Sequence, residues 1–295
     1  MRKLLHNLYC SLPVIRELRN LAYITRQQNA QLIKQNDQLI RLKTAEYEKK
    51  LLASPRYDNP KRLNRYEYQV FSQFGEDGII AEIFRRIGME TRVFLEIGVG
   101  DGLENNTAFL LSQGWSGYWI DGNEESIQFI RYHCKNYVNT QNLHVLKTFV
   151  KSESIVNDLK LLNVPNDLDF LSLDIDRNTY WLWRSLGYLR PRVIAVEYNA
   201  QFPPDVEWKV DYASDRMWNN STYYGASLKA YELLGRELGY SLVGCSTSGV
   251  NAFFVRSDLC EDKFMEPFTS ENHFEPFRMY LHRRKSVYTP ALNDD

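Results

Sequence analysis

Cysteine is scarce and scattered in this sequence. Cys10, Cys134, Cys245 and Cys260 form no CxxC pair and no short regular spacing, which argues against a zinc framework or a disulfide scaffold and predicts free thiols in a reducing, cytoplasmic setting. Long hydrophobic runs are missing too. No apolar stretch approaches the roughly 18 residues that a spanning helix needs, and the N-terminus carries neither an unbroken apolar core nor a small-residue cleavage site. Neither export nor membrane spanning is expected. Excess charge of one sign is absent: 36 Lys plus Arg stand against 37 Asp plus Glu, a net charge of -1. Nothing therefore draws the chain as a whole towards nucleic acid or an anionic surface. Of the 5 histidines, none falls in the motifs below. His133 and His144 read as a helix face and a strand, so zinc chemistry is not indicated.

What is present is enough apolar sequence, 44% of 295 residues, for one α/β domain with an appendage. Residues 1–55 are almost free of glycine and carry spaced Leu and Ile among Gln, Asn, Lys and Arg, which reads as helix. Leu32 with Leu39 and Ile33 with Ile40 repeat at seven, the period of a helical seam. Three readings stay open: a self-association helix giving a homo-oligomer, a helix docked on its own domain, or an interfacial helix touching a membrane through Arg2, Lys3, Arg16, Arg19 and Arg26. Residues 56–67, next to Pro55 and containing Pro60, read as a linker, 68–260 as the main domain, and 261–295 as a C-terminal extension.

Within the main domain, apolar and β-branched runs at 93–97, 118–121, 143–149, 170–175 and 193–198 alternate with helical patterns at 107–113, 124–137, 154–162 and 180–186. A helix at 227–238 then precedes strands at 240–245 and 251–255 joined by a tight turn. Alternation of this kind predicts a Rossmann-like, doubly wound, mostly parallel seven-stranded sheet with an antiparallel C-terminal strand, preceded by the N-terminal helical segment.

The first strand runs into Gly98-Val99-Gly100-Asp101-Gly102, and a helix begins near Asn106 or Thr107, which are the expected caps. Glycines there let a ligand approach the backbone at the carboxyl ends of the strands. The spacing is GxGxG, with Leu103 where a dinucleotide fingerprint has its last glycine. Glu96, just before the turn, suits the cationic methionine end of S-adenosylmethionine better than a pyrophosphate. Asp121 ends the next strand, where a carboxylate accepts hydrogen bonds from both ribose hydroxyls. Glu96, Gly98, Gly100, Gly102, Asn106 and Asp121 are thus the donor-site candidates.

At this point the residues resemble a family. Ser72-Gln73-Phe74-Gly75-Glu76-Asp77, Phe94-Leu95-Glu96-Ile97-Gly98-Val99-Gly100-Asp101-Gly102 with Asn105-Asn106-Thr107, Gly114 to Asp121, Asp169 to Asp176, and Gly239-Tyr240 with Asn251 to Val255 are similar to the FkbM-type group of S-adenosylmethionine-dependent methyltransferases. The resemblance spans roughly residues 68 to 256. It implies a class I methyltransferase domain with S-adenosylmethionine as methyl donor, and it implies that Gln73 and Glu76 close over that donor. Two departures stand out. Many relatives follow the second acid of the fourth-strand motif with Gly, whereas here Asp176 is followed by Arg177 and Asn178; the segment 199–225 is also unusually long and aromatic.

Methyl transfer to a hydroxyl needs alignment and a base. Asp174, Asp176 and Glu197 fall at neighbouring strand ends, where mutual repulsion raises a carboxyl pKa, or where they share Mg2+ through oxygen ligands; Asp174 also counts among the donor contacts. Asn199, Trp218, Tyr223 and Tyr224 are the acceptor-side candidates, in a loop that also holds Trp208 and Tyr212. That loop has too few interleaved Lys and Arg for nucleic acid. The primary expectation is an O-methyltransferase acting on a glycan or small-molecule hydroxyl. The alternative is a non-catalytic binding or assembly protein that keeps the fold, which dispersed carboxylates would favour. A nicotinamide-dependent oxidoreductase conflicts with the GxGxG spacing and with Glu96.

Overall fold

The computed structural model describes residues 13–281. The chain divides into two compact units, 1–51 and 52–295. The described part of the first belongs to a single helix, α1 (Pro13–Leu52), with no buried residue. The basic residues Arg2 and Lys3 lie outside the described residues. No described helix is long and apolar enough to cross a membrane.

The second unit is built on a seven-stranded sheet: β1 (Val93–Ile97), β2 (Ser116–Asp121), β3 (Leu143–Lys147), β4 (Phe170–Leu173), β5 (Val193–Glu197), β6 (Tyr240–Cys245) and β7 (Asn251–Arg256). Their spatial order is β3-β2-β1-β4-β5-β7-β6. β1 to β5 pair in parallel and β7 runs antiparallel to both of its neighbours, the Rossmann-like arrangement read from the strand and helix alternation. Strand order reverses between β1 and β4, the switch point at which open α/β sheets bind ligands.

Both faces of the sheet are covered, which is why the strands read as continuous apolar runs. Along β5, Val193 and Ala195 join a cluster with Phe94, Trp119, Phe253 and helix α2 (Glu76–Ile87), while Ile194 and Val196 join one with Leu95, Leu171, Phe254 and Trp183. The alternation follows from the two-residue period of a strand. α2 presents Ile79, Ile80, Ile83 and Phe84 to the core, spaced as one helical stripe. The remaining crossover helices are α3 (Ala108–Ser112), α4 (Glu124–His133), α5 (Lys135–Asn139), α6 (Ile155–Leu161), α7 (Thr179–Ser185) and α8 (Leu228–Glu237). The single helix expected over 124–137 is broken at Cys134, whose backbone leaves the helical region.

The segment 56–67 is not a linker. Tyr57 and Leu63 are buried, and short 3-10 turns at Pro55–Tyr57 and Leu63–Tyr66 carry them. Tyr57 donates to Glu275 (2.8 Å), Arg62 to Asn272 (2.7 Å), and Asn64 to the Cys245 carbonyl (3.0 Å). Prolines and charges suggested solvated chain, but these side chains find partners more than 180 residues away, a pairing that local composition does not encode. The C-terminal extension packs here as well, through Phe264, His273 and Glu275, all buried.

Candidate active site

The turn after β1 is held from beneath by Glu96. This buried carboxylate accepts from Asn105 Nδ2 (2.9 Å), Asn106 N (2.9 Å), Thr107 N (3.0 Å) and Thr107 Oγ1 (2.5 Å). Trp119 Nε1 in turn donates to Thr107 Oγ1 (2.7 Å), and Asn106 Nδ2 to Ser172 Oγ (3.0 Å). The expected side-chain cap of α3 by Asn106 or Thr107 is absent, because both side chains are committed to this network. Burial pushes the Glu96 carboxyl up, against the pull of these donors. Glu96 therefore shapes the loop and is not part of the cavity wall described next.

That cavity, about 470 Å³, opens at the carboxyl ends of β1, β2 and β4. Gly98, Gly100, Asp121, Asp174 and Asp176 line it, with Phe149, Val150, Met217 and Trp218 as its apolar surfaces. Gly98 has φ +88, and a Cβ there would lie 1.6 Å from the Asp174 carbonyl oxygen, so only glycine lets β1 and β4 come together at this point. Gly100 differs: its φ is +54 and nothing lies within 4 Å of where a Cβ would be. It faces open cavity, a cradle that a side chain would fill. Asp121 accepts from Gly100 N (2.9 Å) and Asn123 N (2.7 Å), which fixes its carboxylate at the cavity rim. Gly102 packs instead against Trp119 and Ile130.

Asp174 and Asp176 line this cavity, and together with Glu197 at the end of β5 they bring carboxylate oxygens within 4.8 Å of one another. The Asp174 side chain faces solvent in the cleft yet is enclosed by protein on its other sides. That enclosure, then the charge of Asp176, pushes its carboxyl up to about 7. The Glu197 carboxyl is likewise driven up, by burial first and then by the charges of Asp174 and Asp176. Asp176 is raised by burial and by the charge of Asp121; its backbone has φ +55, a conformation that favours the glycine-like freedom of a tight turn.

The loop over the site is pinned by polar contacts. Asn199, expected to meet an acceptor, is fully buried and donates to the Thr222 and Tyr224 carbonyls (2.9 and 3.0 Å). It is a strut for the loop. Trp218 lines the cavity, is tilted against Tyr224 at 5.6 Å, and donates to the Ser221 carbonyl. The Tyr224 hydroxyl is pushed up by burial and by Glu197, which places it by the carboxylates. Tyr223 instead faces an adjoining recess of about 900 Å³, together with Glu153, Arg177, Asp211, Tyr212 and Asp215. Arg177 lies over the Tyr223 ring at 5.2 Å, and Tyr212 donates to Glu153. Arg216 borders both spaces.

Glu76, like Glu96, is enclosed. It accepts from Phe74 N (2.9 Å) and Asn251 Nδ2 (3.0 Å), and neither it nor Gln73 lines the cavity. Its neighbour Asp77 gathers the amides of Val70, Phe71 and Ser72 and so fixes the entry to α2. Sequence reasoning missed Phe149, Asn178, Arg216 and Met217. Phe149 follows β3 at the same sheet edge as Gly98 and Asp121, a signal that strand order alone supplies; Arg216 and Met217 arrive through the loop's long-range contacts and have no such signal.

No family model and no curated protein sequence matches the chain. Solved structures of similar shape include the N-terminal domain of EvdMO1 with SAH bound (14% identical, covering 64% of this chain and 80% of that one, TM-score 0.42). They also include an O-methyltransferase from Bacillus cereus in complex with SAH (14% identical, 73% and 88% covered, TM-score 0.39) and the CcbJ methyltransferase from Streptomyces caelestis (13% identical, 67% and 97% covered, TM-score 0.38). At these values none of them assigns an activity to this chain.

Proposed function

We propose that the protein is an S-adenosylmethionine-dependent methyltransferase, of the FkbM type, that methylates a hydroxyl of a glycan or other small molecule. One observation carries the reading: a cavity walled by Gly98, Gly100 and the fixed carboxylate of Asp121 also holds Asp174 and Asp176, whose carboxylates converge with that of Glu197. The carboxylates converge, as catalysis needs and as a fold retained only for binding does not. The fit to the donor rests on the open cradle at Gly100, the ribose-ready carboxylate of Asp121, and the apolar faces of Phe149, Val150 and Trp218 for a flat base. When bound, the donor supplies a methyl group on a positively charged sulfur, open to in-line attack.

The chain's own residues do the rest. Asp174 accepts the acceptor hydroxyl's proton as the new C–O bond forms. Glu197, its carboxyl pushed up by burial and by the neighbouring Asp174, stands beside this base and keeps a further negative charge from building up there. Trp218 and Tyr224 close the site against water, and the polar recess at Tyr212 and Tyr223 suits a hydroxyl-rich acceptor. Asp174, Asp176 and Glu197 also form an oxygen set that would hold Mg2+, which orients a hydroxyl by charge. Calorimetric titration of Mg2+ against wild type and Asp176→Asn tests that arm.

The pH dependence tests the base. Asp174 must be ionised to accept a proton, so kcat/KM for transfer of labelled methyl to a sugar acceptor should rise about tenfold per pH unit below about 7 and level off above it. A rate that is flat between pH 5 and 8 contradicts this assignment.

A further inference from the structure

We propose that α1 is one strand of a parallel, two-stranded coiled coil formed with a second copy of this chain. At 40 residues α1 is about 60 Å long, and none of its residues is buried among the described residues. An isolated helix gains most of its stability from packing an apolar face, and this one has such a face. Val14, Leu18, Leu21, Leu32, Leu39 and Leu42 are all 55% to 70% exposed.

These residues share one seam. Positions 14, 18, 21, 25, 28, 32, 35, 39 and 42 follow alternating steps of four and three, the 3.5-residue period of a left-handed coiled coil. Thr25, Gln28 and Gln35 occupy the remaining seam positions and are uncharged. The charges lie elsewhere. With Leu18, Leu32 and Leu39 as first positions of the heptad, Arg16, Arg19, Arg26, Lys34, Asp37 and Arg41 all fall on the outer positions. Of the positions flanking the seam, only Glu17 at its start and Lys43 at its end are charged, and in a parallel pair they face the neutral Ala22 and Gln38; those between, from Ala22 and Ile24 through Asn29, Gln31, Asn36 and Gln38, are neutral. Two identical helices therefore meet without like-charge repulsion.

The polar layers set direction. In a parallel, in-register pair Gln28 meets Gln28 and Gln35 meets Gln35, so each amide finds an amide. An antiparallel pair faces first positions against fourth positions, so Gln28 and Gln35 would each meet Leu18, Thr25, Leu32 or Leu39 and no glutamine would meet a glutamine. The seam ends after Leu42, where Glu46 takes the next first position and pairs with Lys43 and Lys50 on its own helix. A helix lying on a lipid surface has a broader apolar face, without glutamine at its centre.

Sedimentation equilibrium of the full chain should give twice the 34.7 kDa chain mass, and Leu32→Asp/Leu39→Asp should give 34.7 kDa with the main thermal transition unmoved. Under mild oxidation Gln35→Cys should form a disulfide-linked dimer that wild type does not form. A monomeric wild type, a double variant that stays dimeric, or an uncross-linked Gln35→Cys overturns the proposal. So does a monomeric wild type that binds phosphatidylglycerol vesicles through α1.

Discussion

Replacing Asp174 by Asn is expected to lower turnover by about 100- to 10,000-fold, the range spanned by loss of a positioned general base. The substitution keeps the volume and the backbone, whose N–H bonds the Ile97 carbonyl (2.9 Å), so the end of β4 stays in place. What disappears is the one carboxylate in the group that is pushed to about 7 and still faces the cleft. Donor affinity should hold, because Gly100 and Asp121 are untouched. The melting temperature should hold or rise, because Asn removes a charge that enclosure and Asp176 disfavour. Single-turnover methyl transfer, isothermal titration with S-adenosylhomocysteine and a thermal melt read the three quantities separately. Turnover within tenfold of wild type would place the base elsewhere.

Glu96→Ala is expected to produce the largest loss of stability. The side chain accepts four hydrogen bonds, two of them from the backbone amides of Asn106 and Thr107. Truncation strands these donors in a buried site, at about 1–3 kcal/mol for each group left unsatisfied; a total of about 3 kcal/mol or more lowers the melting temperature by about 6–12 °C in a domain of this size. Glu96→Gln should lose almost as much, since its NH2 group would face amide and hydroxyl donors and only one carboxamide oxygen remains to accept. A conventional ligand role at Glu96 predicts the opposite pattern, weaker donor binding with little change in stability. Paired melting and titration curves distinguish the two.

Much of the sheet was legible before any coordinates. Strands buried on both faces cannot hide their apolar runs, so β1 and β6 fall where expected and the others shift by one or two residues at their ends. The strand ends that carry Gly98, Asp121, Asp174 and Glu197 were legible for the same reason, because a parallel sheet gathers those ends at one edge. Roles that depend on side-chain direction were not. Glu96 and Asn199 look like ligand contacts by position, yet both turn inward to hold loops, and the difference lies in donors contributed by distant residues. The segment 56–67 failed similarly: Tyr57 and Arg62 are polar-tipped side chains that become structural only once Glu275 and Asn272 arrive. That 13–52 is helical was legible too, from spaced Leu and Ile in a stretch without glycine.

Whether the cavity at Gly100 holds the methyl donor is read directly by titration calorimetry of S-adenosylhomocysteine into wild type and Gly100→Trp. The indole would enter space that no protein atom occupies within 4 Å of the Cβ position, so it should block the ligand while the fold survives the modest strain of a side chain at φ +54. One site per chain is expected in wild type and no measurable binding in Gly100→Trp, with both proteins unfolding cooperatively. Wild type that binds no S-adenosylhomocysteine, or a folded Gly100→Trp that binds it unchanged, would contradict this expectation.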